Sequence, residues 1–186
     1  RQALSLAINR QEMVDILFFG YGKICNGPFL PDSFAYNENI KPITQDINKA
    51  KALLKDAGYD ENNPFTFELV TNTGNDTRIN AAQILQYQLE KTGVKMSIKV
   101  MEWQAFLNTV VHPKKFQAVL LGWSLALMPD AFPLWHSSSS KLGGFNLGSD
   151  ENEKVDKLIE QGSTTINRDE LGNIYKEIFK IITDDL

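Results

Sequence analysis

Two stretches of alternating side chains, separated by one amphipathic helix pattern, most constrain how this chain can fold. Phe65, Phe67, Leu69 and Thr71 alternate with Thr66 and Glu68, the period of two expected of a half-buried strand. Val94, Met96, Ile98 and Val100 alternate in the same way with Lys95, Ser97 and Lys99. Between them, residues 77–92 place Ile79, Ala82, Leu85 and Leu89 at helical spacing, and Gly93 stops the run. Trp103 to Val110 predicts a short helix. Phe116 to Leu121 is a nearly continuous apolar run, which predicts a strand buried at the centre of a sheet. The order strand, helix, strand, helix, strand implies an α/β layer joined by right-handed crossovers.

The flanking segments are helical or irregular. Ala3, Leu4, Ala7 and Ile8 form one apolar stripe. Asn9 and Glu12 are spaced as a capping box before a second short helix carrying Met13, Ile16 and Leu17, with Gly20 and Gly22 as its stop. Prolines at 28 and 31 exclude regular helix from the loop that begins at Asn26. Asp46 reads as the N-cap of a helix running to Ala57, with Gly58 as its end. Ser137 to Ser149 reads as loop, and two amphipathic helices follow at about 152–161 and 168–184. No repeat or linker interrupts the chain, so residues 1–186 read as a single unit. It opens on Arg1 inside a helical pattern and stops at Leu186 just after another, so both ends read as cuts from a longer protein.

Composition narrows the function. Hydrophobic residues at 42% and charged residues at 23% describe a folded globular chain rather than a disordered one. A net charge of -4 without any basic stripe argues against nucleic acid. Cys25 stands alone, which excludes an intrachain disulfide and a multi-cysteine metal site. No apolar run is long enough to span a membrane. There is no phosphate-binding glycine loop, no nucleophile elbow and no zinc-protease motif. His112 and His136 are too few to build a metal site. No catalytic residue, metal ligand or cofactor is expected, and the chain does not read as an enzyme. Asn75-Asp-Thr77 matches a glycosylation sequon, a pattern common by chance. What remains is Trp103 after the second strand and Trp123 after the third. Ligands of open α/β sheets sit beyond the strand carboxyl ends, so these rings serve either as a cleft wall or as aromatics at the core edge.

Several segments resemble one family. Arg1-Gln-Ala-Leu-Ser-Leu-Ala-Ile-Asn-Arg10, Gly27-Pro-Phe-Leu-Pro31, Asn48-Lys-Ala-Lys-Ala-Leu-Leu-Lys-Asp-Ala-Gly-Tyr59, Glu102-Trp103, Gly122-Trp123 and Val155-Asp-Lys-Leu-Ile159 are similar, in order, to motifs of the family 5 solute-binding proteins. That family includes oligopeptide, dipeptide and nickel binders. The resemblance implies the second lobe of a bilobed fold of the periplasmic-binding-protein type II kind, with a mixed sheet flanked by helices. The N-terminal lobe and the final strands would lie outside this chain. It implies an oligopeptide or related small solute as ligand, and ABC permease subunits as partners of the parent. The implied location is extracytoplasmic, with the parent periplasmic or lipid-anchored at the cell surface. Nickel or metal-chelate binding, oligosaccharide binding, and a sensor or interaction role without transport are the alternatives.

Carried over by position, Trp103, Trp123, Ser124, Leu125 and Ala126 line the ligand cleft, with Phe106, Asn72 and Asp130 as secondary candidates. Peptide-binding relatives often carry an aspartate where this chain has Ala126, and some carry arginines where it has Val110 and Leu120. Those departures weaken the recognition of charged peptide termini at these positions. Pro129-Asp130 also matches a structural turn.

Overall fold

The computed structural model describes residues 1–125 and 128–185. They form two compact units, each built from separated segments. Unit 1 comprises Arg1–Ile24, Ile43–Val111 and Lys115–Gly122; unit 2 comprises Cys25–Pro42, His112–Lys114 and Trp123–Leu186.

Unit 1 is the α/β layer. Its elements are α1 (Gln2–Ala7), α2 (Arg10–Phe18), α3 (Ile47–Asp56), β1 (Thr66–Asn72), α4 (Asp76–Glu90), β2 (Lys95–Met101), α5 (Trp103–Phe106) with a π-helical turn at Leu107–Val111, and the two-residue β3 (Ala118–Val119). The strands run β2-β1-β3, and both pairings are parallel, with Leu69 beside Ile98 on one side and Ala118 on the other. Apart from α1, the helices of this unit start on side-chain caps. Asp46 accepts from Lys49 N at 2.9 Å and Asn75 from Arg78 N at 2.9 Å, each satisfying an amide that the helix leaves unpaired. Gly93, at φ +86°, turns the chain from α4 into β2 through a conformation that side chains disfavour. Ala7, Ala50, Leu54, Leu69, Ala82, Leu89, Val94 and Met96 form the buried core.

The sheet differs from expectation in two respects. A mixed sheet was expected, and among the described residues every pairing is parallel, because each strand is reached from the last by a crossover. The central strand is β1, with Leu69 through Asn72 all buried, whereas residues 116–121 are half-buried or exposed and lie at an edge. Among the described residues the run at 116–121 pairs on one side only. There the Gln117 side chain accepts from Glu68 N at 2.8 Å, and Leu120 N donates to Val70 O at 3.0 Å.

Unit 2 is helical and loop-built. It holds the Cys25–Pro42 loop, α6 (Phe132–Trp135), a 3-10 turn at Ser137–Ser140, α7 (Glu153–Thr164) and α8 (Arg168–Asp184). Residues 132–140, expected as loop from Ser137 and not assigned before it, thus carry short helical turns. Asn152 and Asn167 cap the two long helices. Val155, Ile159, Ile174, Tyr175, Ile178, Phe179 and Ile182 meet Phe29 and Ala35 of the loop in a second buried core.

Candidate ligand-binding site

In unit 2 the loop is pressed onto α8. A side chain at Gly27 would place its Cβ 2.3 Å from Phe179 Cζ, so only glycine allows this approach. Phe29 follows into the core, 5.1 Å from the Tyr175 ring. Asn26 ties the loop to itself: its Nδ2 donates to Ile40 O at 2.7 Å and its Oδ1 accepts from Tyr36 Oη at 2.6 Å. Cys25, exposed at the head of the loop, points its thiol at the carbonyls of Gly27 and Phe29.

Pro28, Phe29, Leu30, Asp32 and Ser33 of this loop form one side of a cleft of about 570 Å³. Trp123, Ser124, Leu125, Pro129, Asp130, Pro133, Leu134 and Phe145 complete it. Trp123 is 46% exposed and stands edge-on to Phe145 at 5.6 Å. Its lining is mainly apolar, with Asp32, Ser33, Ser124 and Asp130 as the polar groups, and its size is that of a small-molecule site. Asp130 Oδ1 accepts from Phe132 N at 3.0 Å, so this carboxylate starts α6 as well as lining the cleft. Burial, and then the Asp130 charge, raise the Tyr175 hydroxyl above its ordinary pKa. Trp123, Ser124 and Leu125 run as exposed, irregular backbone and make no hydrogen bond among the described residues.

In unit 1 the other candidates gather at the carboxyl ends of the strands. Asn72 closes β1 and is buried. Trp103 opens α5, just after β2, and is 37% exposed. Glu102 caps that helix by accepting from Ala105 N at 3.0 Å; this bond and that from Gln104 N lower the carboxyl below its ordinary pKa. Phe106 is fully buried, its ring 6.1 Å from that of Trp103. Arg78, which sequence reasoning passed over, joins this group. Its Nη1 donates to Asn72 Oδ1 at 2.7 Å, and its guanidinium carbon lies 5.8 Å from the centre of the Trp103 ring.

Trp123, Ser124, Leu125 and Asp130 therefore share the cleft of unit 2, and Trp103, Phe106 and Asn72 share the strand ends of unit 1. Ala126 lies outside the described residues. His112 is exposed, while His136, between α6 and the 3-10 turn, is buried and stacked on Phe132 at 4.3 Å. No group of three or more metal-ligating side chains occurs among the described residues.

Residues 1–145 match the family described as bacterial extracellular solute-binding proteins, family 5 Middle. The chain belongs to this family. Family 5 members are binding proteins, not enzymes. Relatives include the oligopeptide-binding protein AppA of Bacillus subtilis, 32% identical over all of this chain and 36% of its own length. The nickel-binding protein NikA of Staphylococcus aureus is 29% identical over all of this chain and 37% of its own. Among solved structures, Bacillus subtilis AppA in complex with a nonapeptide superposes with a TM-score of 0.90 at 31% identity, over 99% of this chain and 39% of that one. The ABC transporter-associated periplasmic binding protein DppA from Helicobacter pylori, in complex with the peptide STSA, gives 0.89 at 28% identity, over 98% and 36%. The chain thus spans just over a third of the family 5 proteins it matches.

The cleft partners that sequence reasoning missed include Phe29, Leu30, Pro133, Leu134 and Phe145. Phe145 sits in a Ser- and Gly-rich stretch whose composition signals only loop. Leu30 belongs to the proline-bounded motif, whose resemblance was visible but whose place at the cleft was not.

Proposed function

We propose that this chain is a ligand-binding lobe of a longer extracytoplasmic solute-binding protein that serves an ABC importer and takes oligopeptides. One observation carries the reading: an apolar cleft of about 570 Å³ in unit 2 lies beside an exposed backbone run, Trp123 to Leu125, with no hydrogen-bond partner of its own among the described residues. A peptide needs both. Its main chain pairs with unpaired backbone as an added strand does, and an alternate side chain drops into an apolar pocket. Trp123 and Phe145 supply the flat walls such a side chain packs against. The peptide complexes of AppA and DppA agree with this reading, as does their likeness to the present chain. The parent protein is either periplasmic or lipid-anchored, and the importer's permease subunits are its partners.

Native mass spectrometry of the full-length parent, purified without added ligand, tests this. Co-purified peptides are expected. Recovery of a nickel chelate, a haem or an oligosaccharide in their place refutes the peptide assignment. Added peptide should also change tryptophan fluorescence, and Trp123→Phe should remove most of that change and weaken binding by about tenfold. Unchanged affinity in that variant removes Trp123 from the site.

A further inference from the structure

Lys114 holds a backbone conformation that its side chain disfavours. The chain enters unit 2 for three residues only, His112–Lys114, between two stretches of unit 1. Lys114 ends that excursion at φ +53°, in the left-handed region that residues other than glycine seldom occupy. Such a conformation persists where the surroundings fix the residue, and here they fix its ammonium. Nζ donates to Ser140 O and, at 2.6 Å, to Asn146 O, and among the described residues it meets no carboxylate. The cation is thus spent on two backbone carbonyls, through charge-assisted bonds that are stronger than neutral ones.

Those carbonyls bracket residues 140–146, the stretch that carries Phe145 to the cleft. Inside it, Gly144 N donates to Lys141 O at 2.9 Å, and Asn146 N reaches back to Ser139 O at 3.2 Å. A Cβ on Gly144 would stand 2.0 Å from Ser139 O, so the turn closes tightly. Asn146 is buried and donates from Nδ2 to Asp150 O at 2.8 Å, which holds the far end. Lys114 joins that end to Ser140 from outside the turn. Packing does not do this for Phe145 itself: the ring is 51% exposed, and its aromatic partner is Trp123. A half-exposed ring on irregular backbone would lose its freedom only when ligand arrives, and a wall set beforehand removes that cost.

We propose that Lys114 is the positioning residue of the unit 2 cleft, fixing residues 140–146 so that Phe145 stands against Trp123 and the cleft selects peptides with bulky apolar side chains. This rests on the peptide reading above.

The test uses the full-length protein and two pools of mixed nonapeptides, with retained peptides read by mass spectrometry. One pool contains Phe, Tyr, Leu and Met; the other is built from Gly, Ser, Thr and Asn. Wild-type protein should retain the apolar pool over the polar one by about tenfold or more. Lys114→Gly removes the ammonium and suits φ +53° better than lysine does, while Lys114→Met keeps the aliphatic stem. Each should lower the apolar-to-polar ratio severalfold, as should Phe145→Ala. With Phe145→Ala already present, Lys114→Gly should lower the ratio no further, because the lysine acts through that ring. A lysine that only holds the fold would lower both pools alike, and that result overturns the proposal. So does additive loss in the double variant, or a Phe145→Ala variant that keeps the wild-type ratio. Equal retention of the two pools by wild-type protein overturns the selectivity and leaves the peptide reading standing. Retention of neither overturns both.

Discussion

Gln88 shows how much a single buried amide can hold. It is fully buried on α4; its Oε1 accepts from Asn9 N at 2.9 Å and its Nε2 donates to Glu12 Oε2 at 2.8 Å. In a capping box the Glu side chain would reach back to the Asn9 amide itself. Here Asn9 caps Glu12 N as the spacing predicted, but Gln88, from a helix far along the chain, takes over the return bond. Gln88→Ala should therefore cost about 2 kcal/mol in urea unfolding, because the Asn9 amide is left without its partner. The local half of this motif was legible in Asn9 and Glu12. The other half was not, since nothing in a sequence says which distant glutamine will arrive. Arg78 was hidden for the same reason: its neighbours Asn72, Trp103 and Gly122 meet only once three strands have paired. Glu102 makes a prediction about pH. Its folded-state pKa is lowered by backbone amides, so its ionised form stabilises the start of α5 at neutral pH, and that contribution is lost as pH falls from the ordinary 4.5 through the lower folded value. Near-UV circular dichroism should register this as an acid step in the Trp103 environment, and Glu102→Gln should abolish the step.

Elements with strong internal signals were readable. The cap at Asp46, and the amphipathic faces of α3, α4, α7 and α8, appear where spacing placed them, within a few residues, whereas the cap at Asn75 was not read from the sequence. The strands were readable as strands but not in their ranking. Apolar content made residues 116–121 look central, yet a central position depends on having neighbours on both sides, and β1 has them. Val100 likewise alternates as a buried residue and is 40% exposed, because β2 is an edge in the described sheet. The loop at 25–42 was harder still. Its prolines announce irregular backbone but not the helix it packs on. Gly27→Ala tests that contact: with Phe179 buried and unable to retreat, the added methyl should destabilise unit 2 by about 2 kcal/mol in thermal or urea unfolding. A double variant with Phe179→Leu should regain part of the loss. If Gly27→Ala is silent, the loop does not sit as closely on α8 as described.

At the scale of the whole molecule, the chain passes between its two units at Ile24/Cys25, Pro42/Ile43, Val111/His112, Lys114/Lys115 and Gly122/Trp123. Neither unit is a continuous stretch, which is why no linker signals them in sequence. The second core needs Phe29 and Ala35 from the early loop as well as α7 and α8. A fragment of residues 123–186 should therefore lack a cooperative unfolding transition, and a synthetic 25–42 peptide added in trans should restore some of it by supplying those residues. A sharp transition in the fragment alone would show that the late helices build their core without the loop. The same loop has a practical side. Its head, Cys25, is the one thiol in the sequence, and it is exposed just ahead of the stretch that walls the cleft. A maleimide dye can then attach to this chain at a single address without any other residue being altered, and a change in its colour on adding peptide would turn the proposed cleft into the recognition half of an optical sensor.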